Sequence, residues 1–202
     1  MSLSELGVLF GGLSGKTKQD FGVGDSKFIP YANVFANSQT DLQALGAVRV
    51  LEGERQNAVR FGDILFTGSS ENLDEVATAS VVLDEPGRDT YLNSFCIGYR
   101  PNDLEQVQPA FARHLFRSIH LRSQLIQTAN GVTRFNVSRP RLLKVRVPLL
   151  TSNRQAEIAE TLDSFEALAN NLSYGLPAEL AARRKQYEYY RDRLLTFEEA
   201  AS

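Results

Sequence analysis

Up to about residue 150, apolar and polar positions alternate in short runs that are closed by turn chemistry. Lys27 to Tyr31, Ala47 to Leu51, Asp63 to Thr67, Ala79 to Leu83, Ser94 to Tyr99 and Lys144 to Val147 predict strands, most of them followed by Gly, Asn, Asp or Pro. A helical period interrupts this pattern from Pro109 to about Ala129. Phe111, Leu115, Ile119, Ile126 and Ala129 share one face and Arg113, Arg117, His120 and Gln124 another, while Pro109 suits a first turn and Asn130-Gly131 a stop. The prediction is one amphipathic helix with a basic outer side.

Past Pro148 no strand-like run remains, and residues 153 to 197 are rich in Ala, Glu, Arg and Leu. Ile158, Leu162, Phe165, Ala169, Leu172 and Leu176 recur at four and three residues, the spacing of a coiled-coil seam. A second seam, Leu180, Arg183, Tyr187, Tyr190, Leu194 and Phe197, is one position out of step with the first, and the change falls at Gly175-Leu176-Pro177, where a kink or break is expected. The fold class is therefore α+β, with a β-rich unit over 1–150 and a helical region over 151–202. Collinear arms of about 40 residues would reach roughly 60 Å. An extended rod cannot cover its own apolar stripe. Either the arms fold back on each other as a hairpin, or they pair with a helix of another chain.

Composition narrows the class. Hydrophobic residues make up 43% and charged ones 23% of 202 residues, and no apolar run approaches the roughly 20 residues of a membrane helix. Met1 to Glu5 carry neither a basic stretch nor a cleavage signature, so a cytoplasmic protein is expected. The single cysteine, Cys96, lies in Phe95-Cys96-Ile97 and reads as a small core residue, which excludes disulfides and a cysteine zinc cage. A net charge of -2 hides a separation along the chain: Gln106 to Gln155 has no acid and carries Arg113, Arg117, Arg122, Arg134, Arg139, Arg141, Lys144, Arg146 and Arg154. Glu71 to Glu105 is acidic by contrast. The two stretches are either solvated surfaces that neutralise each other or the footprint of a nucleic-acid reader.

Catalytic motifs are missing. Gly11-Gly12-Leu13-Ser14-Gly15-Lys16-Thr17 resembles a phosphate-binding loop, but Phe10 stands where its first glycine belongs. His114 and His120 are six apart, which does not aim two imidazoles at one metal, and both are expected at the surface beside the arginines. No nucleophile elbow, dinucleotide fingerprint, base-holding Pro-Pro-aromatic loop or nuclease acid cluster is present. No metal, cofactor or catalytic residue is expected.

An ordered set of segments resembles the specificity subunits of Type I restriction-modification systems. It runs through Gly12 to Phe21, Phe28 to Phe35, Gly62 to Glu71, Gly131 to Ser138, Val147-Pro148-Leu149, and Gln155 with Ile158 and Leu162-Asp163. It ends with Gly175 to Leu180 and Arg183 to Arg191. The resemblance implies a target-recognition domain gripping one half of a split double-stranded DNA site, followed by helices that act as a ruler. It also implies methyltransferase (modification) subunits docked on those helices, with a translocating restriction subunit beside them. Typical members hold two recognition domains and two helical regions; this sequence holds one of each and no internal repeat. Self-pairing through antiparallel helices would restore the full form, as a homodimer reading a palindromic, interrupted site. The helix residues assigned to that contact are Ile158, Leu162, Phe165, Leu172, Leu180, Tyr187, Tyr190 and Leu194. Two other readings stay open: a recognition subunit of a motor-less methyltransferase-nuclease, and a coiled-coil adaptor that binds no DNA.

Candidate DNA contacts follow from residue chemistry. Arg134, in a turn with Thr133 and Asn136, can fork onto guanine or a phosphate, and Asn136 can read adenine or brace the turn. Lys16 and Lys18 suit phosphates from their Gly/Ser loop, and Asn33 lies in the Phe28 to Phe35 segment. Thr67, Ser69 and Ser70 can donate to DNA or cap a turn. Arg113 and Arg117, with Arg122, should add salt-dependent affinity.

Overall fold

The computed structural model describes residues 1–171 and 177–196, with side chains over 1–169 and 181–196. In chain order the elements are α1 (Leu3–Leu6), β1 (Gly7–Gly11), a 3-10 turn (Lys18–Asp20), β2 (Phe21–Ile29), α2 (Tyr31–Ala36), β3 (Gly46–Val48), β4 (Ile64–Thr67), β5 (Ser69–Ser70), β6 (Ala79–Val81), β7 (Thr90–Leu92) and β8 (Cys96–Pro101). Then come α3 (Pro109–Leu115), α4 (Ile119–Ile126), β9 (Ala129–Asn130), β10 (Phe135–Val137), α5 (Arg139–Leu142), α6 (Ser152–Asn171) and α7 (Pro177–Leu194).

A four-stranded antiparallel sheet, ordered β1-β8-β4-β6, forms the middle layer. Strand alternation gives it two buried faces. Ile64 and Phe66 point into a core shared with α3, α4 and α6, whereas Leu65 points into a second core with Phe10, Ile29, Val34, Leu92 and Cys96. Phe10 faces Gly98 across the β1/β8 pair, and a Cβ there would lie 2.1 Å from its ring, so only glycine admits the aromatic. A second sheet, β3-β2-β7, flanks this core, and a third, β5-β10-β9, caps one end.

Strands at 27–31, 47–51, 63–67, 79–83 and 94–99 are found with shifted ends, Tyr31 being the first residue of α2. Lys144 to Val147 is not a strand: it runs against the first residues, with Leu3 N–H on the Val145 carbonyl at 3.0 Å and Val147 N–H on that of Met1 at 2.8 Å. The expected helix over 109–129 is two helices. Ser118 turns its hydroxyl onto the Leu115 carbonyl at 2.7 Å in place of a continuing helical bond, and Phe116 drops edge-on against Phe66, 5.6 Å between centroids.

Of the two arrangements left open for the helical arms, the hairpin is found. Phe165 of α6 stacks on Tyr190 of α7 at 5.4 Å, whereas a continuous helix would set these positions about 37 Å apart. The two arms therefore fold back on each other. Ile158 and Leu162, expected on an intermolecular seam, are buried in the core beneath the sheet, and α6 lies on α3. Leu194 packs against the same core and Leu195 is buried in it. The break expected at Gly175-Pro177 and the seam residues Leu172, Leu176 and Phe197 fall outside the described residues, except that α7 begins at Pro177; the side chain of Leu180 is also outside them.

Candidate nucleic-acid interface

At one end of the middle sheet, β4 runs out at Thr67 opposite Cys96, where β8 begins, and Gly11 ends β1 beside Ile97. The loop after β4 is held from inside. Thr67 donates to the Glu75 carbonyl at 2.7 Å and accepts the Thr78 N–H at 2.9 Å, and Ala77 is turned to φ 56°, a conformation L side chains seldom take. Thr67 is fully buried, so the side chain expected at DNA instead anchors the loop bearing Ser69, Ser70 and Glu75.

Ser69 and Ser70 pair with Asn136 and Phe135 in the small sheet, and Asn136 also faces Asn130. The intervening turn is tight: Gly131 has φ 140°, and a Cβ there would fall 1.9 Å from the Arg134 carbonyl. Thr133, Arg134 and Asn136 are all exposed. Arg134 donates from Nε to Ser69 Oγ at 2.7 Å and lies over the Phe95 ring at 5.4 Å. A groove of about 490 Å³ is lined by Arg134, Phe95, Ser69, Ser70, Glu75 and Tyr31, among others. Arg139, Arg141, Lys144 and Arg146 are exposed further along the same segment, Arg141 on Asn130 at 2.6 Å.

Other sequence candidates lie inside the protein. Asn33 is buried and donates to the carbonyls of Asp41 at 2.7 Å and Ala44 at 3.1 Å. Lys16 is enclosed against Glu54, and its ammonium, with the Leu51 N–H and Gln56, holds that carboxyl down at about 2. Lys18 is exposed. Arg117 donates to the carbonyls of Ala79, Val34, Phe35 and Asn37, and burial pulls its guanidinium down to about 10, still a cation at neutral pH. Arg122 reaches the Asp74 carbonyl at 2.6 Å. The acid-free span is thus half internal: its first three arginines hold backbone or carboxylates, and the exposed cations begin at Arg134.

Arg113, expected on the surface, joins the helical hairpin to the domain through Asp163 at 2.5 Å and Glu166 at 2.7 Å. His114, also expected outside, is buried between Asp163 at 2.6 Å and the Tyr187 hydroxyl at 3.0 Å. Burial pushes its imidazole below the ordinary value, outweighing the Asp163 hydrogen bond. Burial works to raise the Asp163 carboxyl, but hydrogen bonds from Arg113 and His114 outweigh it and hold the group low. His114, Asp163 and Glu166 offer ligand atoms within 4.8 Å of one another, yet Arg113 is bonded to both carboxylates and both ring nitrogens are taken. The cluster is a docking latch.

Sequence reasoning missed Phe95 and Glu75. Phe95 was hidden by its apolar neighbours Cys96 and Ile97, although Asn93-Ser94 just before it is turn chemistry. Glu75 was absorbed into an acidic stretch.

A mixed sheet core, a small edge sheet presenting polar and cationic side chains, and a helical hairpin latched beside it define a binding domain. The profile of the Type I restriction modification DNA specificity domain matches residues 1–182, so the chain belongs to that family. The EcoR124I/EcoR124II specificity subunit of Escherichia coli is 34% identical over 101 residues, 47% of this chain and 25% of that protein. A putative type I specificity subunit of Haemophilus influenzae is 29% identical over 136 residues, 67% of this chain and 32% of that one. The chain thus spans a quarter to a third of the length of these curated relatives. The fold is shared with the S subunit of M. genitalium (TM-score 0.52, 17% identity, 86% of this chain and 40% of that one) and with the HsdS subunit of Thermoanaerobacter tengcongensis (TM-score 0.58, 17% identity, 85% and 42%).

Proposed function

We propose that this chain is the sequence-reading component of a Type I restriction-modification complex, with residues 1–150 as the target-recognition domain and 151–202 as its helical spacer. The observation that carries the reading is the exposed Arg134 turn on the β5-β10-β9 sheet, in a chain of the specificity family. The chain catalyses nothing itself. It brings double-stranded DNA to methyltransferase subunits that modify adenine and to a translocating restriction subunit, in the cytoplasm and without a cofactor of its own. Thr133, Arg134, Asn136 and Lys18 contact DNA, and Ser69 and Ser70 sit at the groove behind them.

The chain pairs with itself through the helical hairpin, so that two identical readers meet a palindromic, interrupted site. Leu168 and Tyr189, each more than half exposed on the hairpin, support this. Electrophoretic mobility shift with random-sequence duplex at low salt, alone and with the cognate methyltransferase, tests the reading. Binding is expected to be weak alone and strong in the complex, because the net charge of -2 leaves most phosphate contacts to the partners. No shift in either case refutes it.

A further inference from the structure

The groove beside Arg134 is built more rigidly than a loop surface requires. Asn93 Oδ1 accepts the Phe95 N–H at 2.9 Å, and the Phe95 carbonyl accepts the Gly68 N–H at 2.8 Å. A Cβ at Gly68 would come within 2.7 Å of that same carbonyl. The backbone of Phe95 is thus clamped from both sides while its ring is 55% exposed, with the Arg134 guanidinium lying over it. Nε of Arg134 is fixed on Ser69, and its two terminal amino groups have no partner among the described residues. A planar donor fork is held on an aromatic plate in an exposed side chain.

An acceptor stands in the same groove. Ser70, next to the serine that holds Arg134, donates to Glu75 Oε2 at 3.0 Å, which orients the carboxylate. The Tyr31 hydroxyl, buried and without a partner among the described residues, belongs to the same wall. A fork of two donors and an acceptor lining one groove match the edge of one base pair in the major groove. Guanine offers O6 and N7 to the guanidinium and cytosine offers its N4 amine to the carboxylate. An adenine-thymine pair does not give the fork two adjacent acceptors on one base. A phosphate is disfavoured here, because the Glu75 and Glu71 carboxylates that line the same groove repel it.

We propose that Arg134 and Glu75 together read one G·C pair of the half-site, with Phe95 as the positioning residue that keeps the guanidinium plane aligned. This rests on the DNA-reading function above. The test is methylome sequencing of DNA modified by the full chain with its cognate methyltransferase, comparing the parent with Arg134→Lys, Glu75→Gln and Phe95→Leu. The parent should modify a single motif. Arg134→Lys and Glu75→Gln should each relax the same G·C position by about 10-fold or more and leave the other positions intact, and Phe95→Leu should relax that position less.

A uniform drop in methylation with an unchanged motif would mark Arg134 as a phosphate contact and overturn the proposal, as would relaxation at different positions. An unchanged motif at an unchanged level in all three variants overturns it too. If the parent chain directs no motif at all, the DNA-reading function itself fails, a result distinct from either of those.

Discussion

Replacing Leu162 by alanine distinguishes a hairpin docked on the recognition domain from a rod waiting for a second chain. Leu162 is fully buried, Ile158 and Ala159 beside it are nearly so, and all three belong to the core beneath the sheet. Truncating a leucine in such a site costs about 3 kcal/mol or more, from lost transfer energy and the cavity left behind. With a urea slope of about 2 kcal/mol/M, the unfolding midpoint should fall by about 1.5 M. Leu168, on the same helix but 56% exposed, is the internal control: its alanine variant should lose under about 0.5 kcal/mol. Urea titration followed by circular dichroism at two protein concentrations reads both effects. The Leu162 loss should not depend on concentration, because the cavity opens within one chain. A loss under about 1 kcal/mol, or one that grows on dilution, would refute the docked hairpin.

Two further outcomes follow from the core and the latch. Burial pushes the Cys96 thiol up to about 12, so a thiol reagent should label the native chain only as fast as it opens, and label it at once in denaturant; prompt labelling of folded protein would contradict the burial. The buried His114, facing Arg113, Asp163, Glu166 and Tyr187, takes a proton less readily than in the unfolded chain. Stability should therefore be full above about pH 6.5 and decline as pH falls through that value towards the depressed folded one. His114→Gln should flatten that decline in urea midpoints between pH 7.5 and 5, and an unaltered slope would assign it elsewhere.

Strand positions were legible because alternation reports a pleated surface directly. Ile64, Leu65 and Phe66 are apolar in a row because both faces of their sheet are covered. The break between α3 and α4 was not legible, since Phe111 to Ala129 keep a helical period straight across it and only the Ser118 hydrogen bond shows it. The destination of the arginines was equally hidden. Arg113, Arg117 and Arg134 stand in one acid-free span, yet their partners come from Asp163, from the carbonyls of Val34 and Ala79, and from Ser69. Only tertiary contacts 38 to 83 residues away separate a structural guanidinium from an exposed one. The helical seam was read with the right spacing but without the surface that covers Ile158 and Leu162, because a heptad does not say what lies against it.

Met1 and Val147 exchange backbone hydrogen bonds at 2.8 and 3.0 Å, and α6 begins five residues later at Ser152. The first residues and the lead-in to α6 are therefore fastened side by side, like two threads under a single stitch. Because Ile158, Leu162 and Leu195 of the helical region lie in the same core as Ile64 and Phe66 of the sheet, whatever presses on the helices is felt at once in the strands.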